Sequence, residues 1–363
     1  MSGSRPPVAG IIAALAMPKG SSLMRFFSDN TAPICPEVLE AVRAANHGLE
    51  RAYGDDPWTE RLSGVLGEFF GRTLRAFPVA TGTAANSLSL AVLCPPYGAI
   101  FAHEEGHIIR DECGAPEYAT GGARLVPLHG AHGKLTATAL EAALDESPVS
   151  VHTVQPAAVS LTQATELGTS YRAHEIAAVA EAAHRRGLKV HLDGARFANA
   201  LAFLGCHPSE ITWRAGVDVL SFGATKNGAL AAEAVVFFDP AQAGDFELRR
   251  KRAGHLLSKS RFVSAQLDAY VETGVWKRNA ERANAFAQRI GRAAGGRLLE
   301  PVEANEVFVR LGDDGKARLR AAGFEFYDWG AVARGEARFV VSWNQPESDV
   351  NALCDALARA STS

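Results

Sequence analysis

Two short stretches decide the reading of this chain: His191-Leu192-Asp193-Gly194-Ala195-Arg196 and Ser221-Phe222-Gly223-Ala224-Thr225-Lys226-Asn227-Gly228. Each follows an apolar run of strand length, and the lysine comes 33 residues after the aspartate. In a parallel sheet, ligands sit beyond the carboxyl ends of the strands, so an acid and an amine that each close a strand can converge. A carboxylate to pair with a pyridine nitrogen and a lysine to form a Schiff base are what pyridoxal phosphate (PLP) needs to absorb the electrons of a bond broken at an amino acid α carbon. Asp193 and Lys226 are the candidates for these two tasks. The competing reading makes Asp193 the N-cap of the next helix and Lys226 a solvated side chain.

Working outward, short apolar strands alternate with helical patterns. The expected strands are Arg75 to Ala80, Ala99 to Ala102, Arg124 to Leu128, Val149 to Val154, Leu188 to Leu192, Val217 to Phe222 and Ala234 to Phe238. Helices are expected near Pro36 to Asn46, Trp58 to Phe70, Ala84 to Leu93, Ala137 to Leu144, Ala173 to Arg186 and Ser209 to Ala215. Such alternation predicts an α/β fold, a mostly parallel central sheet with helices on both faces. From Pro240 the pattern changes to helices over Gln242 to Leu257, Arg261 to Thr273 and Trp276 to Ala294, and a small α+β unit closes the chain. The parse is an N-terminal extension over 1–23, a large domain over 24–274 and a small C-terminal domain over 275–363.

Composition excludes several classes. With 363 residues and 47% hydrophobic content the chain can bury a large core. A net charge of -3 leaves no broad basic field for nucleic acid, and Arg249, Arg250, Lys251 and Arg252 read as one helix face. No apolar run reaches the roughly 20 residues that span a bilayer. Five widely spaced cysteines without a C-x-x-C pair fit neither a disulfide framework nor a thiolate zinc site, and suit the reducing cytoplasm. Arg5 ahead of the apolar Val8 to Met17 weakly imitates a secretory signal, but a loose extension is the expectation.

Three further motifs have chemical content. Thr81-Gly82-Thr83-Ala84-Ala85-Asn86 follows the first strand and opens a helix, where amide N–H groups and the helix dipole can hold a phosphate. The same turn is common in α/β proteins without a ligand. His103-Glu104-Glu105-Gly106-His107 matches H-E-x-x-H, which on one continuous helix would bind zinc in a peptidase. Gly106 and the preceding strand disfavour that helix. The alternatives are His107 stacked flat on a cofactor ring, or two ordinary loop histidines. Arg338, at the start of a late strand, could bind a carboxylate bidentately or lie on the surface.

Taken together the motifs resemble the threonine aldolases, in the beta-eliminating lyase group of the fold-type-I (aminotransferase-like) PLP enzymes. The matching stretches, in the family's order, are Phe27-Ser28-Asp29-Asn30-Thr31, Tyr53-Gly54-Asp55-Asp56-Pro57, Ala80 to Asn86, Glu105-Gly106-His107-Ile108, Leu192 to Arg196 and Ser221 to Gly228. The resemblance implies that Lys226 binds PLP, that Asp193 pairs with its nitrogen and that His107 stacks on its ring. The Gly82-Thr83 turn with Thr225 would hold the phosphate. Ser28, Arg196 and Arg338 would bind the substrate carboxylate, and no metal is implied. Tyr53 and Arg249 to Arg252 would lie at an interface, because the family forms homotetramers with shared active sites. Many members carry a histidine in the loop that here reads Thr162-Gln163-Ala164-Thr165-Glu166-Leu167-Gly168, and the corresponding place is Glu166.

The implied reaction is retro-aldol cleavage of an L-3-hydroxy-amino acid, of the threonine, allo-threonine or phenylserine type, to glycine and an aldehyde. The hydroxyl base would be His107 or a water it orders. A racemase, beta-eliminating lyase or transaminase would use the same Lys226 and Asp193, and a zinc peptidase at His103 and His107 is the remote alternative.

Overall fold

The computed structural model describes residues 23–147, 150–330 and 335–359. The expected extension over 1–23 therefore lies almost wholly outside the described residues. At Met24–Arg25, β1 pairs in parallel with β10, Phe324–Glu325, and so ties the start of the fold to its end.

Seven strands build the central sheet: β2 Arg75–Val79, β3 Gly98–His103, β4 Arg124–Leu128, β5 Gln155–Thr162, β6 Lys189–Gly194, β7 Val219–Gly223 and β8 Glu233–Phe237. Their order is β2-β8-β7-β6-β5-β3-β4, and β8 alone runs antiparallel to its neighbours. This is the expected mostly parallel sheet. Strands β3, β7 and β8 are buried along their whole length, as a sheet covered on both faces requires.

Local chemistry sets the helix ends. Pro57–Phe70 starts with proline at its first position and Asp56 as N-cap, whose carboxylate accepts the Thr59 amide at 2.9 Å, and it stops at Gly71 with φ 70°. At the heart of the main core, Phe222 of β7 meets Phe70, Phe197 and Tyr270 at centroid distances of 5.9, 6.0 and 6.1 Å. These edge-on contacts stiffen the strand end that leads to Lys226. A second core gathers around β9 Glu306–Arg310 and β12 Glu336–Val340 with the helix Val275–Ala294, and it takes in Phe26. In that antiparallel sheet, ordered β11-β12-β9 with β11 Tyr327–Trp329, Val307, Val309, Ala337 and Phe339 face the core.

Four expectations need correction. The strand expected over Val149 to Val154 lies one step later, at Gln155–Thr162, where Pro156 sits at its start and a bulge opposite Ala99/Ile100 absorbs the irregularity. Ser209 to Ala215 is two short 3-10 turns, Pro208–Ile211 and Trp213–Ala215. The helix expected over Gln242 to Leu257 shrinks to Phe246–Arg252. Within it the four basic residues do not share a face, since consecutive helical positions point about 100° apart. Arg250 is buried against the Phe77 ring and donates to the Pro78 carbonyl at 3.3 Å, while Lys251 and Arg252 are exposed.

Candidate active site

The site forms where the carboxyl ends of β2, β3, β5, β6 and β7 meet. Asp193 is the penultimate residue of β6 and is buried, so it belongs to the strand and is no N-cap; the next helix, Phe197–Leu204, is capped at Arg196. One carboxylate oxygen of Asp193 accepts the Ala195 amide at 3.0 Å and the other accepts Asn86 Nδ2 at 2.8 Å. Two glycines allow this close convergence. A Cβ on Gly194 would lie 2.7 Å from the Ser221 carbonyl, and one on Gly223 would lie 2.8 Å from Ala195 Cα. Lys226 follows β7 in the 3-10 turn Thr225–Asn227, and its half-buried amine makes no hydrogen bond or ion pair among the described residues.

Under Asp193 lies a layer of neutral hydrogen bonds. His191, fully buried two residues earlier on the same face, bonds Ser160 Oγ through Nδ1 and Ser221 Oγ through Nε2, each at 2.9 Å. Burial depresses its basicity to a pKa of about 4, against the pull of Asp193, so the ring is neutral at neutral pH. To the other side, Asn86 also donates to Glu112 Oε1 at 2.8 Å, and the same oxygen bonds His107 Nδ1 at 2.9 Å. The Glu112 bond raises the His107 pKa above its usual value, and burial raises that of Glu112.

His107 opens the short helix His107–Arg110. His103 ends β3, binds the Gly130 carbonyl through Nε2 and accepts the Glu105 amide at Nδ1. The two histidines share no helix and use different partners, which removes the geometry that H-E-x-x-H zinc binding requires.

The residues fit pyridoxal phosphate. The helix Gly82–Leu93 begins directly after β2 with Thr81 as N-cap, and the space over Gly82 is open to 4 Å, which leaves the amides of Gly82 and Thr83 accessible to an anion. Asn86 Oδ1, Ser87 Oγ and Glu112 Oε2 are buried without hydrogen-bond partners around the same floor. Thr225 is already engaged: its hydroxyl accepts the Ala232 amide at 3.1 Å and donates to the Ala232 carbonyl at 3.4 Å, and burial pushes the carboxyl of nearby Glu233 up to about 7.

The three carboxylate-binding candidates are arranged less simply than expected. Arg196 is buried and grips Asp29 with two hydrogen bonds, 2.8 and 3.1 Å, and its Nη1 lies 3.4 Å from Glu306. Arg338 Nη1 lies 3.9 Å from the other Glu306 oxygen, and its guanidinium rests on the rings of Tyr327 and Trp329. Ser28 Oγ accepts the Asn30 amide at 3.2 Å. A cleft of about 840 Å³, lined by Glu166, Phe308 and Trp329 among others, opens on the Arg338 side; Ser28, Arg196, Asp193 and Lys226 are not part of its lining. Glu166 makes no hydrogen bond among the described residues; burial raises its carboxyl pKa, against Lys226, Arg196 and His107 nearby.

Sequence reasoning missed Asn86, Glu112, Glu306 and the role of Asp29. Asn86 and Asp29 stand inside quoted motifs, so a signal existed for both. Glu112 and Glu306 carry none, because only the fold brings them to the site.

Sheet and site together define a PLP-dependent enzyme of the lyase class. The beta-eliminating lyase family model matches residues 25–314, and the chain belongs to that family. It is 44% identical over 334 residues to a low specificity L-threonine aldolase of a Pseudomonas species, covering 91% of this chain and 95% of the relative. A second low specificity L-threonine aldolase, from Pseudomonas aeruginosa, is 44% identical over 88% of this chain and 93% of its own. Among solved structures, the threonine aldolase of Leishmania major superposes with a TM-score of 0.86 at 27% identity, covering 92% of this chain and 98% of that protein.

Proposed function

We propose that this chain cleaves L-3-hydroxy-amino acids of the threonine, allo-threonine and phenylserine type to glycine and an aldehyde by retro-aldol. The observation that carries the reading is the unpartnered Lys226 amine at the end of β7, close to the Asp29 and Glu166 carboxyls, with Asp193 buried at the end of the adjacent β6 and the unpaired Glu166 lining a cleft. When bound, PLP supplies an electron sink for the bond broken at the α carbon.

Every other task falls to side chains. Asp193, fixed by Asn86 and the Ala195 amide, is the carboxylate that would pair with the pyridine nitrogen. Glu112 fixes the His107 ring, and its bond favours the protonated imidazolium, which donates hydrogen bonds and offers a flat stacking face but has no lone pair free to take a proton. Glu166 is the group placed to take the β-hydroxyl proton: a carboxylate with a raised pKa is a stronger base than an ordinary one. Arg196 and Arg338, with Ser28, orient the substrate carboxylate, which selects the bond to be broken. A racemase or transaminase works at the α hydrogen and leaves a base in the cleft without a task.

Thr83 and Gly82 hold the phosphate in this reading, with Thr225 shaping the loop. The large domain over 24–274 and small domain over 275–363 are part of it, supported by two apolar cores, of which the second takes in Phe26 and the first Val275 and Ala280. So is a homotetramer with shared active sites, supported by exposed Tyr53, Leu230 and Leu248. A cytoplasmic location follows from cysteine usage. Among the described residues no helix is long and apolar enough to cross a membrane.

Product analysis tests the reading. The loaded enzyme given L-threonine should yield glycine and acetaldehyde in equal amounts. D-allo-threonine or a 2-oxo acid as the main product would replace the aldolase with a racemase, eliminase or transaminase.

A further inference from the structure

Glu306 is a fully buried carboxylate on the polar face of β9, yet neither of its oxygens accepts a hydrogen bond. Antiparallel pairing sets Glu306 opposite Val340 and Phe308 opposite Arg338, so Glu306 and Arg338 are diagonal neighbours on one face. From the large domain Arg196 approaches the second oxygen, giving separations of 3.4 Å to Arg196 and 3.9 Å to Arg338. Both are too long for a well-made hydrogen bond. Asp29 occupies the other edge of Arg196, Glu166 stands on the loop after β5, and a Cβ on Gly168 of that loop would meet Glu306 at 3.2 Å. Glu306 thus holds the space between the two guanidiniums that the proposed function assigns to the substrate carboxylate.

A second carboxylate brought there meets Glu306, Asp29 and Glu166, against which stand Arg196, Arg338, Lys226 and, beside Glu166, His107. Two carboxylates at one site cannot both stay ionised without cost, and one of them takes a proton. We infer that Glu306 is a positioning residue that keeps Arg196 and Arg338 in register in the empty site and takes up one proton from solvent when a carboxylate ligand binds. The neutral carboxyl then donates a hydrogen bond to the incoming carboxylate, and Arg338 Nε, buried without a partner, gains an acceptor. Burial, with Asp29 and Glu166 nearby, raises the Glu306 pKa against the two arginines, in the direction this uptake requires.

This rests on the amino acid reading of the site, and its test is separable from it. The probe is 3-hydroxybutyrate, the threonine skeleton without the amino group, titrated calorimetrically into the PLP-loaded enzyme in two buffers of different ionisation enthalpy. Wild type should take up about one proton per site and bind up to tenfold more weakly for each pH unit above the Glu306 titration. Glu306→Gln should take up none, bind with a flat pH profile, and show a flattened pH dependence of KM for threonine. Absence of proton uptake in wild type, uptake that persists in Glu306→Gln, or no binding to either protein would overturn the role. Threonine cleavage is assayed on the same samples. Cleavage without uptake removes the Glu306 role and leaves the aldolase, whereas uptake without cleavage keeps Glu306 and removes the aldolase.

Discussion

At the scale of single residues, the site separates charges that must persist from groups that must move protons. Asp193 is buried and doubly hydrogen-bonded, so Asp193→Asn should keep the fold and lower turnover on the order of 10²–10³-fold through loss of the carboxylate. Steady-state kinetics with saturating cofactor measures this. Glu166→Gln should lower kcat for threonine by about 10²–10⁴-fold with KM nearly unchanged. Because Glu166 must be ionised to accept a proton and burial raises its pKa, wild-type kcat should fall as pH drops through that raised value. A Glu166→Gln variant with unchanged kcat and the same acid limb would return the task to His107 or a water.

His191 gives a stability prediction of definite sign. Its pKa is about 4 folded and about 6.5 unfolded, so between these values the unfolded chain binds more protons and stability drops as pH falls. The loss from pH 6.5 down to 4 is on the order of 3 kcal/mol. Thermal unfolding across this window should show a shallower acid slope in His191→Asn than in wild type.

At the scale of elements, two strand ends do the positioning, and their glycines are the weak points. Gly223→Ala places a methyl group 2.8–2.9 Å from Ala195 Cα and the Ala195 and Gly194 carbonyls. Backbone must shift, at a cost of about 1–3 kcal/mol, and the Asp193 and Lys226 turns separate. The expected result is a lower melting temperature together with weaker cofactor retention, measured by fluorimetry and by PLP content after dialysis. The elements themselves were legible where burial and periodicity agree: β2, β6, β7 and β8 fall within two residues of expectation, because strands buried on both faces read as unbroken apolar runs. Strand β5 was not. Val149 to Val154 alternates like a strand, and Pro156 disguises the true one. Helices Ala115–Thr120 and Phe197–Leu204 were also missed, the first short, with Pro116 in its first turn, the second apolar on every side except Asn199, so that no clear polar face marks a helix. For the site, Asp193, Lys226 and the Gly82 turn could be read from strand-end position. Glu112, Glu306 and the engagement of Arg196 by Asp29 could not, because each depends on contacts between distant segments.

At the scale of the whole molecule, the Arg196–Asp29 pair ties the start of the large domain to the loop after β6, and Asn305 joins Asp29 from the C-terminal unit at 3.0 Å. Removing one partner of a buried ion pair strands the other charge, so Asp29→Ala should destabilise by about 3–5 kcal/mol. It should also raise KM for threonine by freeing Arg196 from its fixed pose. Light scattering should give a particle four times the 38.5 kDa chain. A monomer with full activity would remove the shared-site assembly.

The central claim is that PLP is held on Lys226. Borohydride reduction of the PLP-loaded enzyme, followed by peptide mass mapping, tests it directly. The expected result is loss of the near-violet absorbance band and one reduced pyridoxyl group on the peptide that contains Lys226, absent from Lys226→Ala. A pyridoxyl group on another lysine, or a protein that takes up no PLP, would contradict the account.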